Sequence, residues 1–318
     1  MKMLPVVPAH QLASISDEQR WLIDPLWAEQ AVGVIGGEPK SHKSFLALDM
    51  AVAVASGAPC LGRFEVRSPG RVLLYAAEDA ATTVRERLEG ISRAAGCELE
   101  SLDIQVITVP SLRLDLPDDR HKLTATIAQL RPRLLILDPF VRLHRCRENE
   151  SAEVAPLLAY LRELQREFAV AVTVVHHARK GADKARAGQA LRGSSEFHAW
   201  GDSNLYLRRR KERLMLTIEH RAAAALADLG VALTEGPGLA LRVQELPAST
   251  EPASGSTAIA SLPDKIEASL SRAQRPLRFA ELRQACRIRA ASLGSALDEL
   301  GRQGRLKRTP HGYQLVQP

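Results

Sequence analysis

The sequence predicts an α/β domain built on a largely parallel sheet, followed by a small, basic, mostly helical domain. Three observations carry this reading. Between Val32 and Val175, short apolar runs alternate with amphipathic stretches, which is the pattern of β and α elements in turn. Two of those runs, RLLILD and AVAVTVV, are apolar on both faces, as central parallel strands covered by helices must be. Finally, ELPASTEPASGSTAIASLP, from Glu245 to Pro263, is rich in Pro, Ser, Thr and Ala without periodicity, which marks a flexible linker.

Taken in order, residues 1–30 form an N-terminal segment and residues 31–244 the large domain. Its strands are VGVIG, RVLLYAA, DIQVITV, RLLILD and AVAVTVVHH. Its helices are SFLALDMAVAVAS, TTVRERLEGISRAAG, DRHKLTATIAQLR and VAPLLAYLRELQREF. After Gly193 the pattern changes: DSNLYLRRR and RLMLTIEHR flank a charged turn at Arg209 to Arg213 and read as a β-hairpin extending the sheet. Residues 245–263 are the linker and 264–318 the small domain. There, helices over Lys265–Arg272, Arg278–Cys286 and Ala290–Gln303 precede two strands around a Pro-His-Gly turn, the order of a winged helix. The third helix puts Leu293, Ala296, Leu297 and Leu300 on one face, with Arg289, Ser292, Ser295 and Arg302 near the other.

With 318 residues, 45% hydrophobic and 25% charged, the chain has the composition of an ordinary globular protein rather than a disordered one. No run approaches the ~18 apolar residues of a membrane span, and Met1–Ile15 lacks the pattern of a secretory signal, so a cytoplasmic protein with no membrane partner is expected. Cys60, Cys97, Cys146 and Cys286 are widely spaced, which argues against disulfides and structural zinc. From Asp264 onward eleven Lys or Arg face five Asp or Glu, so this tail holds the whole formal charge of +6. Either a polyanion contact or a solvated basic surface accounts for it.

The segment Gly37 to Ser44, GEPKSHKS, follows a strand and opens a helix. A phosphate-binding loop needs a turn whose amides converge on phosphate, a lysine for the outer phosphates, and a Ser or Thr for Mg²⁺. Gly37, Glu38, Pro39, Lys40, Ser41, His42, Lys43, Ser44 and Phe45 supply these parts, and imply ATP and Mg²⁺. His42 stands where glycine is usual, so either the turn changes or affinity is lost.

Hydrolysis further requires an acid for the Mg²⁺ shell and a base that orients water. Asp138 ends RLLILD and, with Ser44, is the metal candidate. Glu78 ends RVLLYAAE and is the base candidate, although Glu78-Asp79 would equally cap a helix starting near Ala81. His176 and His177 end another strand and point to opposite faces, so at most one, His177 by preference, meets the nucleotide.

These motifs together resemble RecA-like hexameric ATPases, specifically plasmid replicative helicases of the RepA type and relatives on mobile elements. The resemblance runs from about Trp21 to Arg242 and rests on WLIDPLW, GEPKSHKSFLALDMAVAVASG, YAAED, LDPFVRLHRCRENES, VVHHARKG and RGSS. It implies a homohexameric ring in which Lys43 and Ser44 bind nucleotide and Mg²⁺. Glu78 would be the catalytic base, Asp138 the Walker B acid, and His177 the histidine before the second DNA loop. A finger arginine would reach the neighbouring subunit; Arg221 is the nearest match and Arg208 the runner-up.

The same resemblance places single-stranded DNA in a pore lined by Arg142–Ser151 and Ala178–Arg192. The second loop offers Arg179, Lys180, Lys184, Arg186 and Arg192 against one acid, Asp183, suited to a phosphate backbone without base selection. Arg289, Arg302, Lys307 and Arg308 would let the winged helix meet duplex DNA, though winged helices also bind proteins. Three activities fit: a helicase or translocase, an ATP-switched DNA-binding regulator with slow hydrolysis, and a helicase-loading or recombination accessory.

Overall fold

The computed structural model describes residues 4, 6–12, 16, 18–148, 150–177, 195–210, 212–223, 226–244, 262–273, 275–286, 293, 297, 300, 305–310 and 312–315. It divides into two compact units, Met1–Pro247 and Ala248–Pro318.

In the first unit, β1 (Trp21–Asp24), β2 (Trp27–Ala28) and β4 (Glu65–Val66) form a small antiparallel sheet in the order β2-β1-β4. The main sheet has nine strands. Six are parallel: β3 (Val32–Gly37), β5 (Val72–Ala76), β6 (Ile104–Val106), β7 (Leu134–Asp138), β8 (Ala171–His177) and β9 (Ser203–Arg210). An antiparallel meander of β10 (Arg213–His220), β11 (Leu229–Thr234) and β12 (Ala240–Gln244) completes it, giving the order β12-β11-β10-β9-β3-β8-β7-β5-β6. This is the expected α/β class with a mostly parallel sheet. The β9–β10 hairpin extends it as the sequence led us to expect, whereas β11, β12 and the small sheet were not anticipated.

The doubly apolar strands behave as their pattern requires, because successive side chains leave a strand on opposite faces. Leu134 and Ile136 of β7 join one core with α1 (Lys43–Ser56) and α2 (Ala81–Ala94); Leu135 and Leu137 join another with α3 (Pro117–Leu130) and α4 (Ser151–Phe168). All four are fully buried. A short helix, α5 (Ser195–Trp200), places Phe197 in the second core. Gly33 is dictated by packing: a Cβ there would lie 1.6 Å from the Ser203 carbonyl oxygen.

The register decides where chemistry can occur. β3 and β8 run in step, with Gly37 beside His177, and β5 and β7 run in step, with Ala76 beside Asp138. The carboxyl ends of the central strands therefore open on one crevice, where ligands of open parallel sheets bind.

The second unit contains α6 (Leu262–Ala273), α7 (Phe279–Cys286) and an antiparallel ribbon of β13 (Leu306–Thr309) and β14 (Gly312–Leu315). Leu262 and Pro263, assigned to the linker from sequence, are the first residues of α6. Leu293, Leu297 and Leu300 are helical and buried in a core with Ile266, Leu270 and Leu282. The remainder of the third helix lies outside the described residues.

Candidate active site

The crevice holds a cavity of about 310 Å³ lined by Lys40 to Phe45, by Glu78, Asp79 and Arg87, and by Asp138, Pro139, Val175 and His177. The phosphate loop is its floor. Gly37 ends β3 against β9, where a Cβ would come within 2.5 Å of the Leu207 carbonyl oxygen and 2.7 Å of Ser41 Oγ. Glu38 and Pro39 form the outer turn, and the Glu38 carbonyl accepts hydrogen bonds from Ser41 Oγ (2.8 Å) and Lys43 Nζ (2.7 Å). Lys40 and His42 both take the left-handed conformation, with φ of 62°.

His42 is the residue immediately before α1 and has ψ of 26°. The turn is therefore the one glycine would make, held by an L-residue. That conformation costs roughly 1–2 kcal/mol for a side chain with a Cβ, partly offset because glycine loses about 0.5–1 kcal/mol more backbone entropy on folding. His42→Gly is expected to raise the unfolding midpoint modestly and to keep or improve ATP affinity. Denaturant unfolding together with nucleotide titration checks both, and a large affinity loss would show that the imidazole itself contacts ligand.

The charged groups are arranged for an anion and a divalent cation. Lys43 is 5% exposed, and burial lowers its ammonium pKa to about 8 against the raising influence of Asp138, Glu78 and Glu38. Asp138 is pushed up to about 6, chiefly by burial, with the Ser44 hydrogen bond and Lys43 acting in the opposite direction. A buried cation whose charged form burial disfavours gains from a phosphate, and a carboxylate beside Ser44 gains from a metal. The residues thus fit ATP and Mg²⁺. Because a proton competes with metal at Asp138, Mg²⁺-dependent nucleotide affinity should fall as pH drops through about 6, by up to about tenfold per unit. Titrations from pH 5 to 8 should show this slope, and Asp138→Asn should weaken binding and flatten it.

Glu78 and Asp79 do not cap α2, whose N-cap is Ala80 with no side-chain hydrogen bond. Instead Glu78 Oε1 accepts from Arg142 Nε at 2.8 Å, and Asp79 pairs with Arg87 Nη1 at 2.5 Å. Arg87 was missed from sequence. On an amphipathic helix it reads as a solvated residue, yet its guanidinium also lies 5.3 Å from the Phe45 ring centre, and so it closes one wall of the cavity. His177 lines the cavity, whereas His176 is buried on the opposite face, stacked 4.2 Å from Phe197. The two side chains leave the strand on opposite faces, as alternation along a strand requires.

Arg221 is not brought to this crevice. β10 runs antiparallel to β9 and pairs His220 with Ser203, so Arg221 falls at the opposite pole of the sheet, 3.4 Å from Asp202. Arg208 lies just past the Leu207–Gly37 pair, at the same pole as the phosphate loop. Of the DNA candidates, Arg179, Lys180, Lys184, Arg186, Arg192, Arg289 and Arg302 lie outside the described residues. Lys307 is exposed on β13, and Arg308 follows it on the same strand.

A strand ending in glycine, a lysine-serine pair opening the next helix and acids at two neighbouring strand ends define a P-loop nucleotide-binding domain. The chain belongs to the family described as "AAA domain", whose model matches residues 2–183, more than half of its length. Among solved structures, a KaiC-like protein from the hyperthermophilic archaeon Pyrococcus horikoshii is similar at 15% identity. The match covers 70% of this chain and 94% of that one, with a TM-score of 0.49. No described helix is long and apolar enough to cross a membrane.

Proposed function

We propose that this protein is an ATP-hydrolysing motor that assembles as a homohexameric ring on single-stranded DNA, a replicative helicase or translocase of a plasmid or mobile element. The observation that carries the ATPase is the convergence of Lys43, Ser44, Asp138, Glu78 and His177 on one cavity. Lys43 and the loop amides orient the phosphates. Ser44 and Asp138 hold Mg²⁺, which when bound offsets the charge of the phosphate oxygens. Glu78 orients a water and takes its proton as the oxygen attacks the γ-phosphorus and the bond to the β-phosphate oxygen breaks. His177, beside Gly37, couples that event to the basic residues that follow it in sequence.

The DNA reading is supported by the sequence resemblance, by the arginines of the loop after β7 and by the basic sequence of residues 178–192. Arg208, at the phosphate-loop pole, is our choice for the cation supplied to a neighbouring subunit. The C-terminal unit, with its helices and β13–β14 ribbon, is read as a winged helix that adds a duplex-DNA or protein contact. Steady-state ATPase with and without oligodeoxythymidylate tests the proposal: we expect stimulation that fades as salt rises. Hydrolysis indifferent to DNA at every salt concentration would contradict it.

A further inference from the structure

The loop after β7 touches the site in a way that the catalytic roles above leave unused. Arg142 ends a 3₁₀ turn, Phe140–Arg142, and its Nε donates to Glu78 Oε1 at 2.8 Å. One oxygen of the carboxylate that must orient water is thereby already engaged. The pair is open to solvent, with Arg142 62% and Glu78 43% exposed, so neither partner is committed to it by burial.

The base of the same loop, by contrast, is firmly seated. Leu143 is fully buried and His144 nearly so. The His144 ring lies 4.6 Å from that of Phe140, and Phe140 packs edge-on against Phe197 at 5.2 Å. Glu148 Oε1 lies 3.8 Å from both His144 Nε2 and His176 Nδ1, which sets the loop against the end of β8. Leu114 donates its N–H to the Leu143 carbonyl at 2.6 Å, fixing the other side. A rigid base therefore carries an outward row of arginines, Arg142, Arg145 and Arg147, all exposed. Arg147 pairs with Glu150 and Glu153 beside its own segment, while Arg142 pairs across to Glu78 of the candidate site.

We infer that Arg142 is a positioning residue that holds Glu78 in a resting orientation until a nucleic-acid phosphate takes up its guanidinium. This rests on the DNA-motor reading above and names how DNA would act on the site. An exposed ion pair contributes little and is screened by salt. A polyanion threaded past the loop competes with it readily, because each phosphate offers the same charge-assisted hydrogen bond in a field that concentrates cations. Release leaves both Glu78 oxygens free to orient water. Coupling is then local, through one side chain, and needs no movement of the seated loop base.

The test is steady-state ATPase of the full chain, wild type, Arg142→Ala and Arg142→Lys, with and without oligodeoxythymidylate, alongside binding of the labelled oligonucleotide by fluorescence anisotropy. In Arg142→Ala the DNA-free kcat should rise about fivefold, the rate equivalent of about 1 kcal/mol, with KM for ATP unchanged and further stimulation by DNA largely lost. Arg142→Lys should restore part of the low resting rate. Added salt should raise the DNA-free rate of the wild type more than that of Arg142→Ala. An unchanged or lower DNA-free rate in Arg142→Ala, with stimulation retained, overturns the inference. If the wild type binds no oligonucleotide, the DNA reading fails, yet a faster Arg142→Ala still supports the restraint on Glu78. Absence of hydrolysis in every form overturns both.

Discussion

Lys43→Ala should abolish measurable nucleotide binding at micromolar ATP while leaving the protein folded. Lys43 is buried at the start of α1, and its ammonium donates within its own loop to the Glu38 carbonyl. Removing one member of a buried, charge-assisted contact costs about 3–5 kcal/mol, which at 1.4 kcal/mol per decade is roughly a hundred- to several-thousandfold in affinity. The fold should tolerate the change, because burial already disfavours the charged lysine in the nucleotide-free protein. Titration calorimetry with an ATP analogue, paired with circular dichroism, separates a binding defect from unfolding. Retention of near-native affinity would mean that the cavity lined by Lys40–Phe45 is not where phosphate binds.

Glu78→Gln should separate binding from turnover. The amide keeps the size and one hydrogen-bonding oxygen of the carboxylate but cannot accept a proton at neutral pH. Loss of a positioned general base costs about 10²–10⁴ in rate. We expect kcat to fall by that factor with ATP affinity within a few-fold of wild type, measured by single-turnover hydrolysis and nucleotide titration on the same preparation. A comparable loss from Asp79→Asn with Glu78→Gln nearly active would move the base to the neighbouring acid. Asp79 also lines the cavity, but its pair with Arg87 is less exposed than the pair of Glu78 with Arg142, which makes it the better candidate for shaping the wall.

Much of this site was legible from sequence for a physical reason. Parallel strands buried on both faces show as uninterrupted apolar runs, and their last residues mark the ligand side; Asp138, Glu78 and His177 were found at such ends. The loop was legible because Gly37, Lys43 and Ser44 have irreplaceable chemistry. What escaped depends on pairing between distant segments. β4 comprises only Glu65 and Val66, and its register is set by Asp24 and Ile23 some forty residues earlier. β11 gains its place by pairing with β10, and β12 by pairing with β11. Arg87 and Arg142 look like ordinary solvated arginines until the fold sets Arg87 beside Asp79, just ahead of its own helix, and Arg142 beside Glu78 from another segment. His42 was flagged as a misfit, yet only the backbone reveals that it keeps the turn of a glycine.

The second unit was legible as helices followed by a strand pair because Leu270, Leu282 and Leu306 keep their apolar spacing around a small core. Its role was not legible, since an exposed Lys307 and its basic neighbours suit a phosphate backbone or an acidic protein surface alike.

The claim on which the others depend is that nucleotide drives copies of this chain into a ring around DNA. The mass of the 318-residue chain, measured in solution alone, with a non-hydrolysable ATP analogue and Mg²⁺, and with analogue plus single-stranded DNA, tests it most directly. We expect a shift to a species six times the 34.8 kDa chain mass that requires the analogue, is reinforced by DNA and is lost in Lys43→Ala. A monomer under all three conditions would contradict the motor reading.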